Sequence, residues 1–289
     1  MRTINYVTSA EYEGRKIFHY LKYSVGMSTA LIRRLKTLSD GILLNGKPAK
    51  TIELLNIGDI VTVNIPDDTS FIEKSEIEPD IVYIDDDIAV VNKPAGLAMH
   101  PTHNHQGDTL ANGMAWYFSK QGRAFTFRAA GRLDKCTSGL VVLCLNPLSA
   151  SKLNANIKKT YYAIVGGLLE GSGTIDKRIY RPDPGKTLRA AGDEGDIAIT
   201  HWQALKHDEC RTLVKINLET GRTHQIRVHF SSIGMPLVGD EMYGSTDTLT
   251  SRAALHCGEV EFIHPVTNEV LKFTSLLPED MNNIVKNML

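Results

Sequence analysis

The hydrophobic positions in the first part of the chain repeat with a helical period and then with a strand period. The stretches 14–23 and 28–38 are predicted to form amphipathic helices, the second with Ser28 as its N-cap and its three leucines along one side. Asn45 followed by glycine is a hairpin signal, and the run 59–65 is rich in strand-forming residues. The pattern predicts a small α/β unit with two helices and a short sheet.

A change of composition separates this unit from the rest of the chain. Residues 67–80 are acidic and show little periodicity, which is typical of a linker. We therefore divide the chain into a small N-terminal domain (1–66), a linker (67–80) and a larger domain (81–289).

Short strand-like runs dominate the larger domain. Helices are predicted only after Asn146 and from Thr223 to Ile233. Such a succession indicates an α+β fold on a large mixed or antiparallel sheet. The predicted strands are 81–84, 88–91, 139–145, 161–166, 197–205, 211–218, 254–262 and 269–274.

Charge is distributed unevenly between the two domains. The whole chain has a formal net charge of -1, with 32 Lys and Arg against 33 Asp and Glu. Residues 1–66 hold nine of the basic residues and five of the acids, a net +4, so the remainder carries -5. This asymmetry indicates that the N-terminal domain faces a polyanion.

The N-terminal segment resembles the alpha-L RNA-binding domain of several RNA-modifying enzymes. The resemblance implies that its exposed cations contact RNA. The alternative is a small α/β domain whose charges only keep the protein soluble. The cations assigned to RNA binding are Arg15, Lys16, Arg33, Arg34, Lys36 and Lys47.

The cysteines and the apolar runs bear on the compartment. The four cysteines lie far apart without C-x-x-C spacing, and the N-terminus has no signal-peptide pattern. No apolar run approaches the roughly 20 residues of a membrane-spanning helix. We expect a soluble cytoplasmic protein with no membrane partner.

A single carboxylate between two cations marks the most informative segment, Gly131 to Leu140. Neighbouring positive charge favours an ionised Asp134, as a nucleophile or base requires. An isolated Arg-Leu-Asp would favour the alternative, a loop aspartate that caps a turn with Thr137 or Ser138. The ten residues, however, closely resemble the signature loop of the Rlu family of bacterial ribosomal and transfer RNA pseudouridine synthases, His-Arg-Leu-Asp followed by Thr-Ser-Gly. Gly131 departs from that pattern, so any role of the histidine is absent here or is performed by another group.

The run Leu218 to His229 matches a second pattern of the family, Thr-Gly-Arg-x-His-Gln-hydrophobic-Arg-x-His. It is predicted to be a strand, a tight turn and a helix capped by Thr223, with His224 and Arg227 on one helix face. A solvated helix face is the alternative for these two residues. Arg227 could hold a carboxylate bidentately, and the resemblance implies that it pairs with the catalytic aspartate.

Further site residues follow from the resemblance. Tyr161, in Lys-x-Tyr-x-Ala, would stack on the reacting base and assist proton transfer, and Leu255 would lie beneath the uridine. Simple core packing is the alternative for both. Arg222 and His224 are assigned to substrate binding by the same comparison of motifs.

Three histidines, His100, His103 and His105, form a possible metal cluster. Their spacing fits no helix-based zinc pair, and the family has a comparable His-Pro loop without metal. We expect no metal and no cofactor, in accord with a chain that has no dinucleotide or Walker motif. A metal-dependent nuclease using these histidines and a non-catalytic RNA-binding protein are the rival hypotheses.

The resemblance implies an RNA pseudouridine synthase of the pseudouridine synthase fold, with Asp134, Tyr161 and Arg227 as catalytic residues. Arg132 would fill the space left by a flipped base. Asp134 would act either as a nucleophile on the sugar or as a base at carbon 2′. Large-subunit ribosomal RNA is the expected substrate, transfer RNA is the alternative, and we expect a monomer with no protein partner.

Overall fold

The computed structural model describes residues 1–67, 71–102, 106–153 and 156–288. Its N-terminal part is a four-stranded antiparallel sheet in the order β1-β4-β2-β3, covered by two short helices. The elements are β1 (Arg2–Val7), α1 (Ile17–His19), which continues as a π-helical turn (Tyr20–Ser24), α2 (Thr29–Leu35), β2 (Ile42–Leu44), β3 (Lys47–Pro48) and β4 (Ile60–Ile65), with a 3-10 turn at Ala10–Tyr12.

Most local predictions for this part are confirmed. The hydroxyl of Ser28 accepts a hydrogen bond from the Leu31 amide at 3.1 Å and so caps α2. Asn45 turns the chain between β2 and β3. The prediction that Leu38 lies on the apolar face of this helix is wrong, because α2 ends at Leu35 and Leu38 is 39% exposed. Strand β1 was not predicted from the sequence.

The N-terminal core is nearly self-contained but reaches into the second part of the chain. Ile17, Leu35 and Val61 are fully buried in it, and Leu148 joins it from the following part. Arg2 also crosses this boundary, because its guanidinium donates two hydrogen bonds, at 3.1 and 2.7 Å, to the buried carboxylate of Asp87. The N-terminal sheet is thus anchored by apolar packing and by an ion pair.

A nine-stranded sheet forms the second part in the order β5-β6-β7-β14-β8-β13-β12-β9, with β15 beside β14. Its named ladders are antiparallel except β7 with β14, which is parallel, so the sheet is mixed and the α+β prediction is confirmed. The strands are β5 (Ile81–Ile84), β6 (Ile88–Lys93), β7 (Ser138–Cys144), β8 (Lys158–Gly166), β9 (Ser172–Asp176), β10 (Arg178–Tyr180), β11 (Ala190–Gly192), β12 (Ile199–His207), β13 (Arg211–Leu218), β14 (Leu255–Ile263) and β15 (Val270–Thr274).

Four helices accompany this sheet, and β10 and β11 form a separate hairpin. They are α3 (Leu110–Lys120), α4 (Pro147–Leu153), α5 (Gln225–Ser232) and α6 (Glu279–Val285), with a 3-10 turn at Glu241–Tyr243. The helix expected after Asn146 is α4. Helices α3 and α6 were not predicted. The predicted cap of α5 is wrong, because His224, in a left-handed conformation with φ 59°, holds the N-cap position instead of Thr223.

The predicted linker lies against α3 over part of its length. The side-chain amide of Asn112 donates to the Glu73 carbonyl at 2.8 Å, and the Ser75 amide donates to the Asn112 carbonyl. A Cβ on Gly113 would stand 2.6 Å from the Ile77 carbonyl oxygen, so glycine permits this close approach. The helical period of α3 is therefore interrupted by an asparagine and a glycine that serve tertiary contacts.

The parallel pairing of β7 with β14 brings distant loops together. Gly139 has φ 111° and pairs with Cys257, whose carbonyl oxygen would lie 2.2 Å from a Cβ at position 139. The glycine of Thr-Ser-Gly thus lets the two strands meet beside the loop that carries Asp134. Over the described residues, no helix is long and apolar enough to cross a bilayer.

Replacing Arg2 with methionine should lower the free energy of unfolding by roughly 2–3 kcal/mol, because it leaves the Asp87 carboxylate buried without its counter-charge. The double variant Arg2→Met, Asp87→Asn should regain part of the loss. Urea unfolding measures both, with the exposed Lys50→Met as control. Equal losses in the single and double variants would contradict this account of the ion pair.

Candidate functional site

One cavity gathers the residues that the sequence places at the site. It lies where the loop before β7 meets β8, the start of β14 and the N-terminus of α5. All of the predicted catalytic and substrate-binding residues line it, namely Arg132, Asp134, Tyr161, Arg222, His224, Arg227 and Leu255.

Asp134 occupies a tight turn at the side of this cavity. Its carbonyl accepts a hydrogen bond from the Thr137 amide at 3.1 Å. Its carboxylate oxygen Oδ2 lies 3.8 Å from Nη1 of Arg227 and 4.0 Å from Nε2 of His224, and 18% of the side chain is exposed. The carboxylate is therefore within reach of a ligand in the cavity while it faces a cation and an imidazole.

Arg227 makes its bidentate contact with Asp240 and not with Asp134. Its Nε and Nη2 donate to the two Asp240 carboxylate oxygens at 2.7 Å each, and both residues are buried. Burial alone would lower the pKa of the guanidinium, but the hydrogen bonds with Asp240, together with the electrostatic effects of Cys136, Asp240 and Asp134, outweigh it and the pKa is raised. Nη1 remains directed at Asp134, so Asp240 sets the position of the cation that faces Asp134.

A chain of hydrogen bonds orients His224. The hydroxyl of Tyr243 accepts from the Arg189 amide at 3.1 Å and lies 2.8 Å from Nδ1 of His224. When the Tyr243 hydroxyl donates to Nδ1, a neutral His224 carries its own proton on Nε2, which faces Asp134. Burial is the main cause of a lowered pKa at His224. The Asp134 carboxylate acts in the opposite direction, whereas the cations of Arg227 and Arg189 lower the pKa further.

Tyr161 and Leu255 supply the apolar part of the cavity. Tyr161 is 7% exposed, and burial raises the pKa of its hydroxyl well above 10.0, so the phenol is neutral at physiological pH. Leu255 is buried at the start of β14. The guanidinium of Arg252 fixes this corner through Nη1, which donates to the carbonyls of Leu255 at 3.1 Å and Cys136 at 3.2 Å.

A buried lysine supports the Asp134 loop from behind. The ammonium group of Lys93 donates to the carbonyls of Pro94, Leu97 and Lys135, at 2.9, 2.8 and 3.3 Å. Burial lowers its pKa to about 8. Because Lys135 follows Asp134 directly, Lys93 restrains the backbone of the loop that carries Asp134.

Several of these supporting residues were missed by the sequence reasoning. Asp240 and Tyr243 fall in the Gly239-Asp240 and Tyr243-Gly244 pairs of the family pattern, and Lys93 falls in Asn-Lys-Pro-x-Gly. The motifs therefore include these residues but do not predict their contacts. Nothing in the sequence pattern pointed to Arg252 or Arg189.

Arg132 and Arg222 lie exposed at the mouth of the cavity. Arg222 is tied to the loop before β12, since its Nε donates to the Ile197 carbonyl at 3.1 Å and its Nη1 lies 3.6 Å from Asp196. Arg132 also borders two neighbouring cavities.

The cations assigned to RNA binding are all on the surface of the N-terminal part. Arg15, Lys16, Arg33, Arg34, Lys36 and Lys47 are exposed. Burial lowers the pKa of Arg128 and Arg34 lowers it further, so an N-terminal cation stands near a cation of the second part.

The histidine cluster proposed as a metal site is only partly described. His100 is exposed, whereas His103 and His105 lie outside the described residues. Among the described residues, one group of three has ligand geometry, Asp85, Asp87 and His264. Nδ1 of His264 accepts from the amides of Val266 and Thr267, so Nε2 carries the proton and donates to Asp85 at 3.0 Å. That arrangement is a hydrogen-bonded cluster that leaves no free nitrogen lone pair for a metal.

Comparisons with known proteins agree with the resemblance. The family model for RNA pseudouridylate synthase matches residues 87–232. The chain is 37% identical over 263 residues to the RNA pseudouridine synthase YlyB of Bacillus subtilis, covering 87% of each chain. It is 39% identical over 224 residues to ribosomal large subunit pseudouridine synthase D of Pseudomonas aeruginosa, covering 71% of this chain and 70% of that one. The structure of human RNA pseudouridylate synthase domain containing 1 shares the fold, with a TM-score of 0.57 at 24% identity, covering 73% of this chain and 95% of that chain.

His224 should titrate below 6.5, because burial and the nearby Arg227 and Arg189 disfavour its charged form. Asp134→Asn should lower the titration midpoint further, since the Asp134 carboxylate is the neighbour that raises the pKa. Histidine ¹H–¹⁵N NMR titration measures both, with His224→Gln to identify the resonance. A higher midpoint in the Asn variant would contradict the placement of Asp134 beside His224.

Proposed function

The chain belongs to the RNA pseudouridylate synthase family, and we propose that it isomerises specific uridines of large-subunit ribosomal RNA with Asp134 as the catalytic carboxylate. The observation that carries the proposal is the position of Asp134 in a cavity bounded by the neutral phenol of Tyr161, the side chain of Leu255 and the cation of Arg227.

The reaction sets the requirements that this cavity meets. The bond from ribose carbon 1′ to nitrogen 1 breaks, the uracil turns, and carbon 5 forms the new bond to carbon 1′. Carbon 5 then loses its hydrogen as a proton and nitrogen 1 gains a proton, so atoms and electrons balance without redox chemistry. The detached base has to be held while it turns. An aromatic ring and an apolar side chain retain a flat base without fixing its rotation.

Asp134 acts on the ribose in this proposal, either as a nucleophile at carbon 1′ or as a base at carbon 2′. Both roles require an ionised carboxylate. Arg227 places a cation 3.8 Å from this carboxylate, and it does so from a fixed position because Asp240 holds its other nitrogens.

The uridine has to leave its stack to reach Asp134, at a cost of a few kcal/mol. Arg132 is exposed at the cavity mouth, two residues before Asp134 in the chain. We infer that its guanidinium occupies the space that the flipped base vacates and stacks on the neighbouring bases.

Large-subunit ribosomal RNA is favoured over transfer RNA by the names of relatives that are ribosomal large subunit synthases in Pseudomonas aeruginosa and Vibrio cholerae. The exposed cations of the N-terminal part supply a basic surface beside the catalytic part. Pseudouridine formation on in vitro transcripts of both RNA classes tests the assignment, and product in transfer RNA alone would overturn it.

Asp134→Asn should abolish isomerisation and leave RNA affinity within a few-fold, because it removes the reactive carboxylate with little change in size. Tritium release from carbon-5-labelled uridine in large-subunit ribosomal RNA measures the rate, and the exposed Asp183→Asn serves as control. More than a tenth of the rate remaining in the Asp134 variant, a loss below ~1.4 kcal/mol, would show that Asp134 is not the catalytic carboxylate.

The triple variant Arg15→Gln, Arg33→Gln, Lys36→Gln should bind RNA with a weaker salt dependence, because each lost phosphate contact reduces the slope of log affinity against log salt by about 0.7. A slope shallower by roughly two units is expected from a filter-binding titration on the same RNA. The exposed Lys74, Lys206 and Lys286, changed together to Gln, provide the control. An unchanged slope in the first variant would mean that the N-terminal part does not contact the RNA backbone there.

A further inference from the structure

The side chain of Lys159 lies beside the catalytic cavity. Its amine occupies the space into which a side chain at position 131 would extend. Alternate side chains of a strand share a face, so Lys159 and Tyr161 of β8 point to the same side of the sheet. The Lys159 ammonium nitrogen would be 2.8 Å from a Cβ at position 131, where the chain has glycine with φ 86°.

No carboxylate compensates this amine within the described residues. Burial lowers the pKa of Lys159, and the only neighbour that raises it is the thiol of Cys257. An ammonium group is a donor with no acceptor function. The side chain of Lys159 is half-buried, so its amine can donate to an oxygen anion that arrives with a ligand.

A second cavity offers the space for such an anion. It is lined by Gly131, Arg132, Lys159 and Glu219 among others, and it shares Arg132, Tyr161, Leu218 and Gly221 with the catalytic cavity. The Glu219 carboxylate lies 2.6 Å from Nε2 of His201 and so has its own partner. Two cations, Arg132 and Lys159, thus border a cavity that opens beside the catalytic one.

We propose that Lys159 binds a phosphate of the RNA strand next to the target uridine, in the cavity that it lines together with Gly131 and Arg132. The proposal rests on the proposed RNA substrate. Phosphate is the favoured group because every nucleotide beside the uridine carries one, and because a charge-assisted hydrogen bond to an ammonium group is stronger than one to a neutral base edge.

The test compares Lys159→Met with Lys159→Arg and with Lys158→Met as matched control. Lys158 is the preceding residue of the same strand, its side chain is 84% exposed, and it pairs with Glu261. The probe is bacterial large-subunit ribosomal RNA transcribed in vitro. Lys159→Met should weaken binding about tenfold at low salt and make the salt slope shallower by about 0.7, whereas the other two variants should keep the slope.

Urea unfolding separates this role from a structural one. Removing an uncompensated buried charge should leave the free energy of unfolding of Lys159→Met unchanged or raised. A lowered stability together with an unchanged salt slope would overturn the phosphate site and make Lys159 a packing residue.

A second variant approaches the site from the other side. Gly131→Ala should displace the Lys159 amine and reduce affinity without removing any charge, although its positive φ also strains the loop. Combining it with Lys159→Met should produce little further loss, since both changes remove one contact. Fully additive losses would contradict the shared site.

Failure of this inference is distinguishable from failure of the proposed function. Wild-type tritium release on the same RNA is measured in parallel. If the wild-type protein releases tritium and Lys159→Met keeps the wild-type salt slope, only the phosphate site is contradicted. Absence of release from ribosomal and transfer RNA removes the proposed substrates, and with them the phosphate site.

Discussion

The buried ion pair of Arg227 with Asp240 is the interaction on which the site depends. Burying a guanidinium is tolerated only when a carboxylate satisfies it with good geometry, and Asp240 does so with two hydrogen bonds of 2.7 Å. The third nitrogen is then left facing Asp134 at a distance of 3.8 Å. The cation is thus held in position by Asp240, and the Asp134 carboxylate makes no bidentate bridge of its own.

Around this pair the chain uses backbone carbonyls and amides to hold the loops. Lys93 gathers three carbonyls near the Asp134 turn, and Arg252 joins the carbonyls of Cys136 and Leu255. From the other side, the Arg189 amide at the end of the β10–β11 connection donates to the Tyr243 hydroxyl, which in turn lies 2.8 Å from Nδ1 of His224 and holds that ring in place. A short polar site is in this way preorganised by groups that never need to touch the substrate.

Local patterns predicted much of the fold. The edges of β5 and β13 fall at the predicted residues, and the Ser28 cap and the Asn45 turn are confirmed. Helix α3 was not predicted because its sequence contains Asn112 and Gly113. The side-chain amide of Asn112 and the missing Cβ of Gly113 both serve contacts with residues 73–77. The cap of α5 was assigned to the wrong residue because a left-handed His224 is a conformation that sequence preference does not favour.

The sequence by itself determined the strands of the central sheet except β9, and the motifs that supply Asp134, Tyr161 and Arg227, because side-chain periodicity and short motifs are local properties of a chain. Only the tertiary structure decided that Arg227 donates its hydrogen bonds to Asp240 and that Nε2 of His224 faces Asp134. The position of the Lys159 amine beside Gly131 was likewise decided by the tertiary structure. Partner choice among charged groups depends on distances between segments that the sheet brings together, and no local pattern encodes those distances.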